Sequence, residues 1–86
     1  QSMAPSEIQE ALQGIIRDVF MSDDLELTPE TSAKDVPGWD SFKMVEIIVT
    51  VEERFGIKIT SRDVDRLRNL GDLVTMISDK QGVARQ

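Results

Sequence analysis

Neither cysteine nor histidine occurs in the 86 residues. Without cysteine there is no thiol nucleophile, no disulfide and no thiolate metal ligand. Without histidine there is no imidazole base, which removes Ser-His nucleophilic catalysis. Tyrosine is missing too, and with three Phe and one Trp the core has to be mainly aliphatic. The aspartates between residues 18 and 40 lack the Asp-x-Asp-x-Asp-Gly spacing and terminal Glu of a calcium loop, so no metal site is expected. No apolar run reaches membrane-spanning length, and no charged-then-apolar N-terminal segment signals secretion. The expected compartment is therefore the cytoplasm.

Positive charge is also in short supply. The net charge is −6, with twelve acidic and five basic side chains in residues 1–58 and four against five in residues 59–86. An acidic chain repels nucleic acid and anionic lipid and is drawn to basic protein surfaces. That balance argues against reading the last two helical segments as a DNA-binding helix-turn-helix. A chain of this length forms one small domain with little room for a deep catalytic cleft. Gln1-Ser2 ahead of Met3 reads as a tag-cleavage remnant, which leaves a domain over 4–81 and a frayed tail over 82–86.

What is present is helical. Ser6-Glu7-Ile8-Gln9, just after Pro5, fits a capping box. Ile8, Leu12, Ile15, Ile16, Val19 and Phe20 then follow one helix face, predicting a helix over about 6–20. Residues 21–38 lose the periodicity and hold Thr28-Pro29-Glu30-Thr31 and Pro37-Gly38, so a long loop is expected, pinned by Leu25, Leu27 and Val36. Trp39 is expected to plug that loop onto the bundle. A third and short helix is predicted over about 61–66, started by Thr60-Ser61-Arg62-Asp63, with Val64 and Leu67 inward. A fourth is predicted over about 70–81, started at Asn69 and closed by Gly82. The sum is an all-α bundle of three long helices and one short one.

The strongest signal is the second helix, over about 41–55. Asp40 and Ser41 are both favourable at a helix start, and Gly56 can end the helix in a left-handed conformation. A helix start offers unpaired N–H groups and positive dipole, which suit a phosphate ester on a side chain there. Lys43, Glu46, Thr50, Glu53 and Arg54 make one polar stripe. Met44, Val45, Ile47, Ile48, Val49, Val51 and Phe55 fill a much wider apolar arc, with Glu52 intruding. An arc that wide predicts a central helix with some apolar surface left over near its N-terminus.

Asp40-Ser41-Phe42, followed by Val45-Glu46-Ile47 and by Glu52-Glu53-Arg54-Phe55-Gly56-Ile57, resembles the acyl carrier protein family, and the similarity extends from about Ile8 to Ile77. The resemblance implies that Ser41 carries 4′-phosphopantetheine, placed on it from coenzyme A by a phosphopantetheinyl transferase. It supplies from outside the thiol that the chain lacks, so the serine is an anchor and the chain catalyses nothing. Asp40 matches the acid before the serine. Phe42, Met44, Val45, Glu46, Val49 and Glu53 fall where the family meets acyl-loading and acyl-processing enzymes with basic docking surfaces. Val51, Ile59 and Leu67 match positions that face a sequestered acyl chain.

Phe42 stands where Leu is usual, Lys43 and Arg54 stand where acids are frequent, and Arg62, Arg66 and Arg68 cluster around the third helix. These differences point to a specialised carrier, for a polyketide, a lipid or another dedicated pathway, and not to housekeeping fatty-acid synthesis. The alternatives are a peptidyl or aminoacyl carrier and an unmodified acidic helical adaptor. A monomer without membrane insertion is expected in every case.

Overall fold

The computed structural model describes residues 3–84. Its elements are α1 (Pro5–Phe20), a short 3-10 helix (Ala33–Asp35), α2 (Ser41–Phe55), α3 (Ser61–Asp65) and α4 (Leu70–Ala84). No strand occurs among the described residues. The all-α bundle with a short third helix matches the expectation, and the bounds of α2 and α3 fall within a residue of it.

Helix α1 begins earlier than the capping-box reading placed it. Ala4 is the N-cap and Pro5 opens the helix, where its missing N–H costs nothing and its fixed φ fits. The Glu7 carboxylate turns back to accept the Ala4 N–H at 2.7 Å, so Ser6 lies inside the helix. At the other end Met21 takes a left-handed φ of 54°, and the Ser22 N–H donates to the Arg17 carbonyl at 3.0 Å. Helix α4 also departs from expectation: it runs on through Gly82 to Ala84, and Gly82 has no positive φ. The expected fraying at residues 85–86 lies outside the described residues.

The core consists of Ile8, Leu12, Ile15 and Ile16 of α1, Ile47 and Val51 of α2, Leu70, Leu73, Val74 and Ile77 of α4, with Leu27, Val36 and Ile57 from the connections. Helix α1 packs against both α2 and α4. It is therefore the central element, which corrects the expectation for α2. Helix α2 buries only Ile47 and Val51 completely; Phe55 packs at the core edge, and Val45 and Val49 of its wide apolar arc are left exposed.

The long loop is held by its backbone. Leu27 and Val36 are buried, and Leu25 packs at the edge of the core. The Gln13 amide donates to the Leu27 carbonyl at 2.8 Å and the Arg17 guanidinium to the Leu25 carbonyl at 3.0 Å. On the α4 side the Leu70 N–H donates to the Thr31 carbonyl at 2.9 Å and the Gly71 N–H to the Pro29 carbonyl at 2.8 Å. A Cβ at position 71 would sit 3.2 Å from that Pro29 oxygen, so this close approach favours glycine. Buried polar backbone is thereby satisfied without regular structure.

Glu52, which seemed out of place on the apolar arc, has a structural partner: its carboxylate accepts the Ile59 N–H at 2.8 Å. Thr60 caps α3 by accepting the Asp63 N–H at 3.1 Å, while the Asp63 carboxylate accepts the Thr60 N–H at 2.9 Å. Lys80 of α4 approaches the same carboxylate at 2.9 Å. The Thr60 backbone N–H first, and Lys80 after it, hold the Asp63 carboxyl down at about 2. Arg68 is engaged by Asp72 at 3.0 Å, which lowers the Asp72 carboxyl. The arginine cluster around α3 is therefore not one uniform patch, since only Arg62 and Arg66 lack an acidic partner among the described residues.

Candidate functional site

Gly38, with a φ of 84°, turns the chain into the start of α2. Asp40 is the N-cap: its Oδ1 accepts the Lys43 N–H at 2.9 Å, satisfying one of the orphan donors of the first turn. Ser41 is then the first helical residue, and it is exposed. Its hydroxyl has no hydrogen-bond partner among the described residues, and neither do the N–H groups of Ser41 and Phe42. A reachable hydroxyl stands beside free N–H groups and the positive end of a helix dipole. That is the setting a phosphodiester needs, so the residues fit the group.

Around Ser41 the surface is apolar with an acidic margin. Phe42, Val45 and Val49 fall on one stripe at i, i+3 and i+7, and are 78%, 60% and 46% exposed. Glu46 and Glu53 are exposed on the same helix. Five of the six residues expected to meet partners thus reach solvent together. Met44 does not belong with them: it is half-buried and lines a cavity instead.

Lys43, read from the sequence as a surface charge, turns inward toward α1. Its ammonium donates to the Val19 carbonyl at 3.3 Å, lies 5.8 Å from the centre of the Phe20 ring, and is 3.5 Å from the Glu46 carboxylate. A cation at the C-terminal end of α1 complements that helix dipole. It ties the end of one helix to the start of the other, just behind Ser41.

Beside this corner is a cavity of about 370 Å³ whose apolar wall comes from Trp39, Met44, Leu67, Leu70 and Leu73. Residues 31–34 of the long loop, with Arg68 and Asn69, complete it. Of the three residues expected to face an acyl chain, only Leu67 is part of this lining. Val51 is enclosed in the core, and Ile59 packs at the core edge beyond the end of α2. Trp39, Leu70 and Leu73 line the cavity without having been singled out for it. Helical periodicity marks such residues as inward but does not distinguish a core wall from a cavity wall. Trp39 does plug the loop, as expected, packing on Phe20 with ring centres 5.6 Å apart. No group of acidic residues able to hold a metal ion occurs among the described residues, and no helix there is long and apolar enough to cross a membrane.

A four-helix bundle with a capped, exposed serine opening its second helix beside an aliphatic cavity defines a carrier domain. The profile described as the phosphopantetheine attachment site matches residues 10–77. The chain is 40% identical over 76 residues to the meromycolate extension acyl carrier protein of Mycobacterium leprae, covering 88% of this chain and 66% of that one. It is 33% identical over 72 residues to the acyl carrier protein of Helicobacter pylori, covering 84% of this chain and 92% of that one. The solution structure of holo acyl carrier protein from Geobacter metallireducens superposes with a TM-score of 0.80 at 39% identity, over 90% of this chain and 86% of that one. The chain belongs to the phosphopantetheine-bearing acyl carrier protein family, and its role is that of a carrier and not of an enzyme.

Proposed function

We propose that Ser41 is the residue that bears the arm and that the stripe Phe42, Val45, Glu46, Val49 and Glu53 is where partner enzymes dock. The observation that carries the first point is the exposed, unpartnered hydroxyl at the opening of α2. In loading, the Ser41 oxygen attacks the pyrophosphate of coenzyme A. A Ser41 O–P bond forms, adenosine 3′,5′-bisphosphate leaves, and the serine proton passes to a base on the transferase, since this chain has no histidine. The bound arm supplies a thiol that holds an acyl group as a thioester. Asp40 keeps the first turn of α2 formed, and the cavity beside Trp39 and Met44 shelters the apolar part of the cargo.

The pathway we favour is a specialised lipid or polyketide route. The mycobacterial relatives are named for meromycolate extension, and the exposed Arg54, Arg62 and Arg66 stand where the family resemblance leads one to expect acidic surface. A cytoplasmic monomer with no affinity for nucleic acid fits the acidic surface. Intact mass after incubation with coenzyme A and a broad-specificity phosphopantetheinyl transferase tests the assignment. The wild type should gain one phosphopantetheine and Ser41→Ala none; an unchanged wild-type mass would favour an unmodified adaptor.

A further inference from the structure

Met21 closes α1 in a conformation and a setting that the fold does not reward. Its φ of 54° lies in the left-handed region, where glycine is at ease and a long side chain is strained. It is also 90% exposed, more than any other large apolar residue among those described. The cap needs only backbone: the Met21 N–H donates to the Asp18 carbonyl at 3.1 Å and the Ser22 N–H to the Arg17 carbonyl at 3.0 Å. Glycine or asparagine would make the same bonds with less strain. A strained residue whose apolar side chain stays unburied points to a use outside the fold.

Position and charge say what meets it. Lys43 reaches the Val19 carbonyl at 3.3 Å, and Trp39 packs on Phe20 with ring centres 5.6 Å apart. Residues on both sides of Ser41 in the chain are thus joined to the two residues just before Met21. Asp18, Asp23, Asp24 and Glu26 are exposed around it, and none has a basic partner among the described residues. Carboxylates alone would be ordinary solvated surface; the bare methionine among them is what sets this end of α1 apart.

We propose that Met21 and the carboxylates beside it are a second contact for the phosphopantetheinyl transferase, on the α1 side of Ser41 and separate from the stripe on α2. The inference rests on the carrier reading of Ser41 and concerns the loading step alone. A transferase has to bring the pyrophosphate of coenzyme A against the Ser41 oxygen itself, so it must close around this corner. An interface of ordinary size covers about 800 Å² of one partner, enough to take in the end of α1 with the first turns of α2. Enzymes that act on the cargo meet the thiol at the far end of the arm and can leave the α1 side bare. Coenzyme A is a polyanion, so the transferase rim that holds it has to be basic. Unpaired carboxylates complement such a rim.

Steady-state loading by the native host's transferase, with coenzyme A as donor, tests this on variants of the whole chain. Met21→Asn keeps a residue suited to the φ of 54° and removes the apolar chain. It should be at least as stable as the wild type, raise the KM for the carrier about three- to tenfold and leave kcat within about twofold. Met21→Leu, which restores apolar bulk, should keep KM within about twofold of wild type. Asp23→Asn with Asp24→Asn should raise KM at low ionic strength and not at high. Once loaded, Met21→Asn should accept an acyl group from the acyl-loading enzyme at the wild-type rate. An unchanged loading KM in Met21→Asn overturns the proposal, as does an equal loss in Met21→Leu or in acyl loading. Wild type that gains no mass under the same conditions defeats the carrier reading instead.

Discussion

The Asp40 carboxylate accepts the Lys43 backbone N–H at 2.9 Å, and that bond fixes where α2 begins and so where Ser41 stands. Removing it by Asp40→Ala should cost about 0.5–2 kcal/mol in urea unfolding. Asp40→Asn, which keeps an acceptor at the cap, should lose little stability. If Asp40 acts only as a cap, Asn also preserves the rate of arm transfer. A stable Asn variant that is poorly loaded would show a direct role for the charge.

Core and surface should separate on α2. Ile47 is fully buried and Phe42 is 78% exposed. Ile47→Ala should destabilise by about 2–5 kcal/mol. Phe42→Ala should stay within about 0.5 kcal/mol of wild type while slowing transfer to a cognate enzyme. Chemical denaturation and a transfer assay on the same two variants check both halves.

The Asp63 carboxyl, held at about 2 by the Thr60 N–H and Lys80, ties stability to acid. Its folded value lies below that of the unfolded chain. The stabilisation is therefore fully present above the ordinary carboxylate range and is lost as the pH falls from roughly 4 toward 2. Asp63→Asn keeps an acceptor for the Thr60 N–H but cannot titrate. Its stability should fall less steeply over that window than the wild type's in an acid titration followed by circular dichroism, and parallel curves would contradict this.

If the acidic margin of α2 meets basic partners, Glu46→Lys with Glu53→Lys should slow transfer by the cognate enzyme most at low ionic strength, where screening is least. Equal rates across ionic strengths would speak against electrostatic docking. Lys43 approaches Glu46 at 3.5 Å and already offsets part of that charge. Lys43→Met should therefore speed the encounter while loosening the join between α1 and α2.

The start of α2 could be read from the sequence because its determinants are local: Asp40, Ser41 and Gly56 state the ends of one fifteen-residue helix. The inward faces of Ile8 to Ile16 and of Leu70 to Ile77 were legible for the same reason, through periodicity. The inward turn of Lys43 was not, since its partner, the Val19 carbonyl, is set by the crossing of two helices and not by any residue near position 43. Glu52 looked misplaced on an apolar arc because its partner is a backbone N–H beyond the helix end. The wide apolar arc of α2 suggested a centre, yet α1 took that place, leaving Phe42, Val45 and Val49 uncovered. Val51 and Ile59 match by resemblance positions that face the interior, and the packing puts Val51 in the core and Ile59 at its edge.

Trypsin, cutting after Lys34 and Lys43, releases residues 35–43, which contain a single serine. Tandem mass spectrometry of that peptide from protein purified from its native host asks directly where the arm is. The account predicts a phosphopantetheine mass, with or without acyl cargo, on Ser41 of that peptide. An unmodified peptide, or the added mass on any other fragment, would contradict it.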